Sequence, residues 1–148
     1  MELAVLVGMP ASGKTSFVRA CLAGSHRHVS KDVLGHGRGD ARQRAAIETA
    51  LRAGASVVVD NVNATPRERA TLIALARHHG ARAVAYYFET AVADAVARNR
   101  HRTGKARVPD VAIFVAARRL QPPSAAEGFD ALFRVRLTPD GGFDVTAG

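Results

Sequence analysis

Cysteine and long apolar runs are scarce or missing in this sequence, and each absence excludes a class of protein. The one cysteine, Cys21, has no partner within the chain, so no disulfide framework can form and we expect a reducing, cytoplasmic location. No apolar run approaches the roughly 20 residues of a membrane-spanning helix, and too few residues precede the first predicted strand for a signal peptide. We therefore expect no membrane partner, and we expect Cys21 to be a small residue of the core.

Aromatic and acidic residues are also few. Phe, Trp and Tyr together make up 5% of the residues, which mildly disfavours an acceptor pocket lined by aromatic rings. No group of cysteines and histidines has the spacing of a zinc site. The chain has 21 Lys and Arg against 13 Asp and Glu, a formal net charge of +8. Such an excess indicates a polyanionic partner, although a solvated, arginine-rich surface would produce the same composition.

The hydrophobic pattern predicts strands that alternate with helices. Strands are predicted at residues 3–7, 28–30, 56–60 and 82–88, and a hairpin or edge strand at 133–137 before a turn at 139–142. Helices are predicted at residues 14–23, 41–53, 66–79, 91–102 and 111–120. This order is typical of an α/β fold with a parallel sheet and right-handed crossovers. Because no long linker divides the chain, we expect residues 1–148 to form a single domain.

Three helix ends have recognisable signals. Thr65, Pro66 and Glu68 fill the N-cap, first and third positions of a helix, which together form a capping box with the favoured proline. Thr90 is expected to cap the next helix. Gly24 is expected to close the first helix as a C′ glycine, the position that commonly adopts the left-handed conformation.

Residues 8–15 read Gly-Met-Pro-Ala-Ser-Gly-Lys-Thr and fill every fixed position of G-x-x-x-x-G-K-T. The motif follows a predicted strand and precedes a predicted helix, which is the context that a phosphate-binding P-loop requires. Its backbone N–H groups can surround a phosphate, Lys14 can reach the β- and γ-phosphates, and the Thr15 hydroxyl can ligate Mg²⁺. The predicted nucleotide-binding residues of this segment are Gly8, Ala11, Ser12, Gly13, Lys14, Thr15 and Ser16. The alternative is a glycine-rich turn that binds no ligand.

Two carboxylates follow predicted strands. Asp60 ends an apolar strand, where it can hold Mg²⁺ directly or through water. Asp32 follows the second strand, away from the metal, where it can accept a proton from an attacking hydroxyl. Because ligands of parallel sheets bind beyond the carboxyl ends of the strands, we expect both to lie near the P-loop. Each could instead cap a local turn or helix.

A basic segment runs from Arg98 to Arg107. Its five cationic residues are Arg98, Arg100, Arg102, Lys105 and Arg107. An arginine that closes over the γ-phosphate stabilises the charge that develops during phosphoryl transfer, so the segment is typical of a helical lid. A solvated basic helix end is the alternative.

The whole chain resembles the 5′-kinase module of polynucleotide kinases, including the kinase half of polynucleotide kinase/phosphatases. Four stretches carry the resemblance in order: the P-loop, Val-Ser-Lys-Asp-Val-Leu-Gly at 29–35, Val-Asp-Asn-Val-Asn-Ala-Thr at 59–65, and Arg-Asn-Arg-His-Arg at 98–102. A late Ala-Glu-Gly-Phe at 126–129 is also similar to the family.

The resemblance implies a P-loop NTPase-type parallel sheet flanked by helices, with a helical lid. It also implies the site: Lys14 and Thr15 bind phosphate and metal, Asp32 is the general base on a 5′-hydroxyl, Asp60 is the acidic residue after the third strand, and Arg102 is the catalytic lid arginine with Arg98 beside it. ATP or another NTP would be the donor, with Mg²⁺, and the 5′ end of DNA or RNA the acceptor.

Two other functions remain open from the residues. A kinase of a small hydroxylated metabolite, antibiotic or nucleoside would use the same scaffold, because fold does not fix the substrate. A nucleotide-binding switch without transfer activity would have no use for Asp32. The preferred NTP, the choice between DNA and RNA, and the oligomeric state are left open.

Overall fold

The fold is built on one six-stranded sheet. A computed structural model describes residues 1–31 and 39–148. The strands are β1 (Glu2–Val7), β2 (His26–Val29), β3 (Ser56–Asp60), β4 (Arg82–Phe88), β5 (Ala131–Leu137) and β6 (Phe143–Ala147). They lie in the order β2-β3-β1-β4-β5-β6, and all neighbours are parallel except β5 and β6. The predicted parallel α/β sheet is therefore confirmed, and so is the hairpin near the carboxyl end.

Five α-helices and shorter helical segments connect the described strands. The helices are α1 (Lys14–Phe17), α2 (Gly39–Arg52), α3 (Pro66–His78), α4 (Val92–Arg100) and α5 (Asp110–Arg119). The short segments are a π-helix at Val18–Leu22 and 3₁₀ turns at Gly104–Ala106 and Ala125–Glu127. None of the helices in residues 1–31 and 39–148 has the length and apolar character that crossing a bilayer requires.

The first helix differs from the prediction for residues 14–23. After one α-helical turn it continues as a π-helix, in which the Ala23 amide donates to Val18 O at 2.8 Å. Gly24 follows the C-cap residue Ala23 and so stands at C′ as predicted, although its φ is not positive. Cys21 is exposed rather than buried, because Val18 and Leu22 occupy the side of this turn that faces the sheet.

Helices cover both faces of the sheet. Phe17 and Val18 pack under one face against Leu6, Val58 and Phe88. The other face carries α2 and α3, whose apolar residues join the larger core cluster around Leu3 and Val57. The interior of β1 is completely buried, as expected for a parallel strand with helices on both sides.

The predicted start of α3 is confirmed. Thr65 Oγ1 accepts a hydrogen bond from the Glu68 amide at 3.3 Å, and Pro66 begins the helix. The Glu68 carboxylate reaches one residue beyond a standard capping box, to the amide of Ala64 at 3.0 Å. The predicted cap at Thr90 is wrong, because the N-cap of α4 is Ala91, whose carbonyl accepts the Asp94 and Ala95 amides.

Sheet order places the P-loop at the centre of the molecule. β1 lies between β3 and β4, so the loop that leaves β1 emerges beside the carboxyl end of β3. The chain passes to one side of β1 for β2 and β3 and to the other side for β4 and β5. Such a change of direction opens a crevice at the carboxyl edge of the sheet.

Candidate functional site

The P-loop is shaped by close contacts that admit only glycine at two positions. A Cβ on Gly8 would lie 2.7 Å from Ser12 Oγ and 2.9 Å from Phe88 Cβ, closer than these atoms can approach. Gly13 has a φ of 96°, and a side chain there would also press on Leu137. Ala11 adopts a φ of 62°, a left-handed conformation that is uncommon for alanine. The loop is thus held in a tight turn, the kind of conformation in which successive backbone amides can surround an anion.

Lys14 and Ser12 place polar groups inside this loop. Lys14 is 8% exposed, and its Nζ donates to the carbonyls of Gly8 at 2.7 Å and Met9 at 2.8 Å. Ser12 is 1% exposed, and its Oγ has no hydrogen-bond partner among the described residues. A buried hydroxyl without a partner costs free energy unless a ligand satisfies it. A buried ammonium and an unsatisfied hydroxyl within a tight glycine-containing loop together fit the oxygens of a phosphate.

Thr15 and Asp60 form the oxygen-rich part of the site. Thr15 Oγ1 donates a hydrogen bond to Asp60 Oδ2 at 2.8 Å, which joins the P-loop to the end of β3. Asp60 is 8% exposed. A hydroxyl and a carboxylate at one point are ligands that suit Mg²⁺. The donor set therefore fits a magnesium ion next to the phosphate-binding loop.

His28 is a neighbour of Asp60 that the sequence did not single out. Its Nε2 lies 2.9 Å from Asp60 Oδ2, the oxygen that Thr15 also contacts. The available signal was weak: His26 and His28 are two residues apart on a strand and so share a face. The contact itself follows from the pairing of β2 with β3.

The basic segment lies against the P-loop. Arg98 Nε donates to Ala11 O at 3.0 Å, which joins α4 to the loop. The pKa of the Arg102 guanidinium is lowered, mostly by burial and further by the charge of Arg98, while the charge of Asp60 opposes this shift. Arg98 thus contacts the P-loop, and the half-buried Arg102 is within electrostatic range of Arg98 and Asp60 while its Nη1 donates to Ala106 O at 3.2 Å. Arg100, Lys105 and Arg107 are exposed. We use the name lid for residues 98–107.

A buried asparagine that the sequence did not reveal holds the base of the lid. Asn99 is fully buried; its Nδ2 donates to Val108 O at 2.6 Å and its Oδ1 accepts from the Val108 amide at 3.0 Å. This pair of bonds closes the chain between α4 and α5. Met9, Ala95 and Ile113 pack together below it and attach both helices to the P-loop.

The loop after β3 is tied to the P-loop from behind. The Gly8 amide donates to Val62 O at 3.1 Å, and Asn63 Nδ2 donates to Leu6 O at 2.7 Å. Asn63 has a φ of 48°, a left-handed conformation that asparagine tolerates. Its carbonyl accepts a hydrogen bond from Arg69 Nη1 at 2.8 Å. The positions of the P-loop and of the loop that follows Asp60 are therefore coupled.

Arg69 is a fully buried guanidinium. Its Nε and Nη2 donate to the two carboxylate oxygens of Glu127 at 2.8 and 3.0 Å. Burial raises the pKa of Glu127, but the hydrogen bonds from Arg69 and the Ser124 amide and the Arg69 charge outweigh burial, so this pKa is lowered. Glu127 belongs to the late Ala-Glu-Gly-Phe stretch, whose role the sequence left unassigned.

A groove of about 660 Å³ opens between α2 and α3. Asn61 and Asn63 line it at the edge of the sheet. Its charged lining residues are the cations Lys31, Arg44 and Arg67 and the carboxylates Asp40 and Glu68, and Lys31 is paired with Asp40 at 2.7 Å. Asn61 Oδ1 accepts a hydrogen bond from the Lys31 amide at 3.0 Å, which joins the ends of β2 and β3. The groove thus begins one residue beyond Asp60.

Most of the predicted site residues come together. Those that the structure places at one site are Gly8, Ala11, Ser12, Gly13, Lys14, Thr15, Asp60, Arg98 and Arg102. Ser16 follows Thr15 with an exposed side chain. Asp32, together with residues 33–35 of its motif, lies outside the described residues.

Comparison with known proteins places the chain in a family. The model of the family described as AAA domain matches residues 3–123. A curated protein of Acanthamoeba polyphaga mimivirus, named "Putative bifunctional polynucleotide phosphatase/kinase", is 29% identical over 138 residues. The alignment covers 88% of this chain and 32% of the viral protein, so the chain spans about a third of that relative's length. This match confirms that the chain resembles polynucleotide kinases.

Solved structures share the fold. Kti12 of Chaetomium thermophilum, in complex with ADP-AlF3, superimposes with a TM-score of 0.69 at 19% identity and covers 90% of this chain and 88% of its own. A gluconokinase of Sinorhizobium meliloti 1021 has a TM-score of 0.65 at 22% identity, with 91% and 82% covered. A fungal RNA kinase has a TM-score of 0.69 at 16% identity, with 90% and 38% covered. At these identities the similarity establishes the fold of P-loop kinases and leaves the acceptor undecided.

Proposed function

The chain belongs to the AAA domain family and has the fold of P-loop kinases, and we propose that it acts as a phosphotransferase. In this proposal it moves the γ-phosphate of ATP or another NTP to the 5′-hydroxyl end of DNA or RNA. The observation that supports it best is the convergence of Lys14, Thr15, Asp60 and the lid arginines at the carboxyl edge of the sheet. Phosphoryl transfer needs a phosphate cradle, a metal site and positive charge near the transferring oxygens, and these residues are suited to all three roles.

The donor would bind in the P-loop. Its phosphate oxygens would accept hydrogen bonds from the loop amides, the Ser12 hydroxyl and the Lys14 ammonium. Thr15 and Asp60 would hold Mg²⁺, which withdraws charge from the β- and γ-phosphate oxygens when it is bound.

The proposed transfer step adds Asp32, which lies outside the described residues, to these groups. The 5′-hydroxyl oxygen attacks the γ-phosphorus, its proton passes to the Asp32 carboxylate, and the bond from the γ-phosphorus to the bridging oxygen of the NDP breaks. Arg98 and Arg102 would stabilise the negative charge that spreads over the transferring oxygens. Asp32 is assigned this role by the resemblance of its stretch, Val-Ser-Lys-Asp-Val-Leu-Gly at 29–35, to polynucleotide kinases.

Three observations favour a nucleic acid as acceptor. The chain has a net charge of +8, more than one nucleotide requires. The groove between α2 and α3 begins beside Asp60, and Arg44 and Arg67 line its two walls. The mimivirus relative has polynucleotide phosphatase/kinase in its name. A small hydroxylated acceptor remains the second candidate, because the gluconokinase shares the fold.

The first prediction is the acceptor itself. With γ-labelled ATP and Mg²⁺, label is expected on a 5′-hydroxyl oligonucleotide and not on the matched 5′-phosphate oligonucleotide. Because binding to several phosphates releases counterions, kcat/KM for the oligonucleotide should fall steeply between about 50 and 200 mM salt. A small acceptor such as gluconate or a nucleoside should show a shallow salt dependence. Label on a small acceptor and on neither oligonucleotide would assign the second candidate function.

The second prediction concerns the lid. Arg102→Ala is expected to lower kcat about 10²-fold, because a preorganised charge near the transferring phosphate is lost. Arg100→Ala is the matched control: Arg100 is an exposed arginine of the same segment, and its replacement should leave kcat unchanged. Steady-state kinetics with the best acceptor measure both. Equal kcat values for the two variants would contradict a catalytic role for Arg102.

A further inference from the structure

Two donors on different elements hold the carboxylate of Asp60. Oδ2 accepts a hydrogen bond from Thr15 Oγ1 at 2.8 Å, and His28 Nε2 lies 2.9 Å from the same oxygen. An ionised carboxylate can only accept hydrogen bonds, so the proton of this contact belongs to His28 Nε2. Oδ1 has no hydrogen-bond partner within residues 1–31 and 39–148. The arrangement occupies one oxygen and leaves the other to a ligand.

The support from His28 is independent of the P-loop. His28 is paired in register with Val58, two residues before Asp60 on β3. Residues two apart on a strand share a face, so His28 and Asp60 lie on the sheet face that α1 covers. The imidazole is anchored by the sheet, whereas Thr15 belongs to the loop that would bind the nucleotide.

This difference matters when the site is loaded. The Thr15 oxygen is itself a candidate metal ligand, so its hydrogen bond to Asp60 is constrained by the metal. His28 is not a candidate metal ligand, so its contact with Asp60 is not constrained by the metal in this way. Groups that hydrogen-bond to metal ligands orient them, and their loss typically costs about 10- to 100-fold in metal affinity or activity.

We propose that His28 is a positioning residue, which orients the Asp60 carboxylate for Mg²⁺. The proposal rests on the phosphotransferase function proposed above for this site. His28 acts through Asp60 and does not itself form a metal cluster: the part of the chain that the structure describes contains no group of three or more His, Cys, Asp or Glu suited to a metal ion.

The chain provides a matched control on the same strand. His26 lies two residues before His28 on the same face of β2, and its Nε2 contacts a different carboxylate, Glu2 Oε1, at 2.8 Å. His26→Phe therefore makes the same chemical change next to a carboxylate outside the site. His28→Gln keeps an N–H donor, and His28→Phe and His28→Ala remove it.

The test is the affinity for a divalent cation, which does not depend on the acceptor. Each variant is saturated with a non-hydrolysable ATP analogue, and bound Mn²⁺ is measured by electron paramagnetic resonance. His28→Phe and His28→Ala are expected to weaken Mn²⁺ binding about tenfold or more. His28→Gln should retain most of the affinity, and His26→Phe should match the wild type. Circular dichroism shows which variants are folded, and either donor-free variant suffices.

The outcomes separate this proposal from the proposed function. Wild-type Mn²⁺ affinity in a folded donor-free variant, or an equal loss in His26→Phe, would overturn the role of His28. If the donor-free His28 variants bind Mn²⁺ more weakly than His26→Phe does but no acceptor is phosphorylated, the phosphotransferase proposal fails and the role of His28 stands. If transfer occurs, the donor-free variants should need more Mg²⁺ for half-maximal rate and recover kcat at high Mg²⁺.

Discussion

Asp32→Asn is expected to slow phosphoryl transfer about 10²–10⁴-fold and to leave nucleotide affinity unchanged. Asparagine keeps the size and polarity of the side chain but cannot accept the proton of the attacking hydroxyl. Because the transition state of phosphoryl transfer is loose, orientation of the attacking hydroxyl by the Asp32 carboxylate matters as well as its basicity. The substitution removes that carboxylate contact too. Single-turnover transfer and titration with a fluorescent nucleotide measure the two effects separately.

Lys14→Ala should behave differently, and the contrast sharpens the test. Lys14 lies within the phosphate-binding loop and bonds two of its carbonyls. Its removal takes a full charge from the phosphates and two hydrogen bonds from the loop, so nucleotide affinity and transfer should both fall. Unchanged function in Asp32→Asn together with loss in Lys14→Ala would indicate a nucleotide-binding switch instead of a kinase.

Glu127→Ala is expected to destabilise the fold by about 3–5 kcal/mol, because it leaves the buried guanidinium of Arg69 without a counter-charge. Arg69 is fully buried and donates two hydrogen bonds to Glu127. For a chain of this size the loss corresponds to a fall of about 10 °C in Tm. Arg69 also donates to the Asn63 carbonyl, so the loop that follows Asp60 should loosen with it.

An exposed ion pair provides the control for this prediction. Arg134 and Glu89 lie 3.2 Å apart with both side chains exposed, and Arg134→Met should cost less than about 1 kcal/mol. The double variant Arg69→Met/Glu127→Leu should recover much of the loss, because no unpaired charge then remains buried. Thermal and urea unfolding measure all three variants. A Glu127→Ala protein as stable as Arg134→Met would contradict the importance of the buried pair.

The pair of Arg69 and Glu127 is also expected to make the stability of the fold depend on pH in the acidic range. The pKa of Glu127 is lowered from its ordinary value of 4.5, with burial opposing and Arg69 favouring the ionised form. A carboxylate whose pKa is lower in the folded state stabilises the fold above its unfolded pKa. This stabilisation is present above pH 4.5 and is lost as the pH falls through the lowered value. Glu127→Gln should therefore show a weaker decrease in stability over this acidic range than the wild type.

The parts of the site that the sequence predicted well are those in which the local chain does the work. The P-loop is one contiguous motif, and its glycines are needed for contacts within the loop or for its own φ, as at Gly13. The N-terminal cap of α3 is likewise local, since its hydrogen bonds join residues within Ala64 to Glu68. Prediction failed where the local pattern was ambiguous, as for the burial of Cys21. Cysteine is a residue type that is often buried, but the π-helical segment Val18–Leu22 places Cys21 on its exposed side.

The parts that the sequence missed depend on residues far apart in the chain. His28 and Asp60 are 32 residues apart, and Arg69 and Glu127 are 58 residues apart. Asn99 looked like one polar residue in a basic run, yet it is buried and bonded to Val108. No spacing rule connects such pairs, because their contact depends on strand order and on how helices pack across the sheet.

The amino-acid order alone was enough for the α/β class, the phosphate-binding loop, and the carboxylate and arginines that would serve it, because periodicity and contiguous motifs are written into neighbouring residues. Only the tertiary structure showed three contacts between residues far apart in the chain. His28 of β2 lies against the carboxylate of Asp60, the buried Arg69 supports the loop that follows Asp60, and the lid is joined to the P-loop through Arg98. Such contacts arise because parallel strands and covering helices bring distant residues to one edge, where burial makes each unpaired polar group costly.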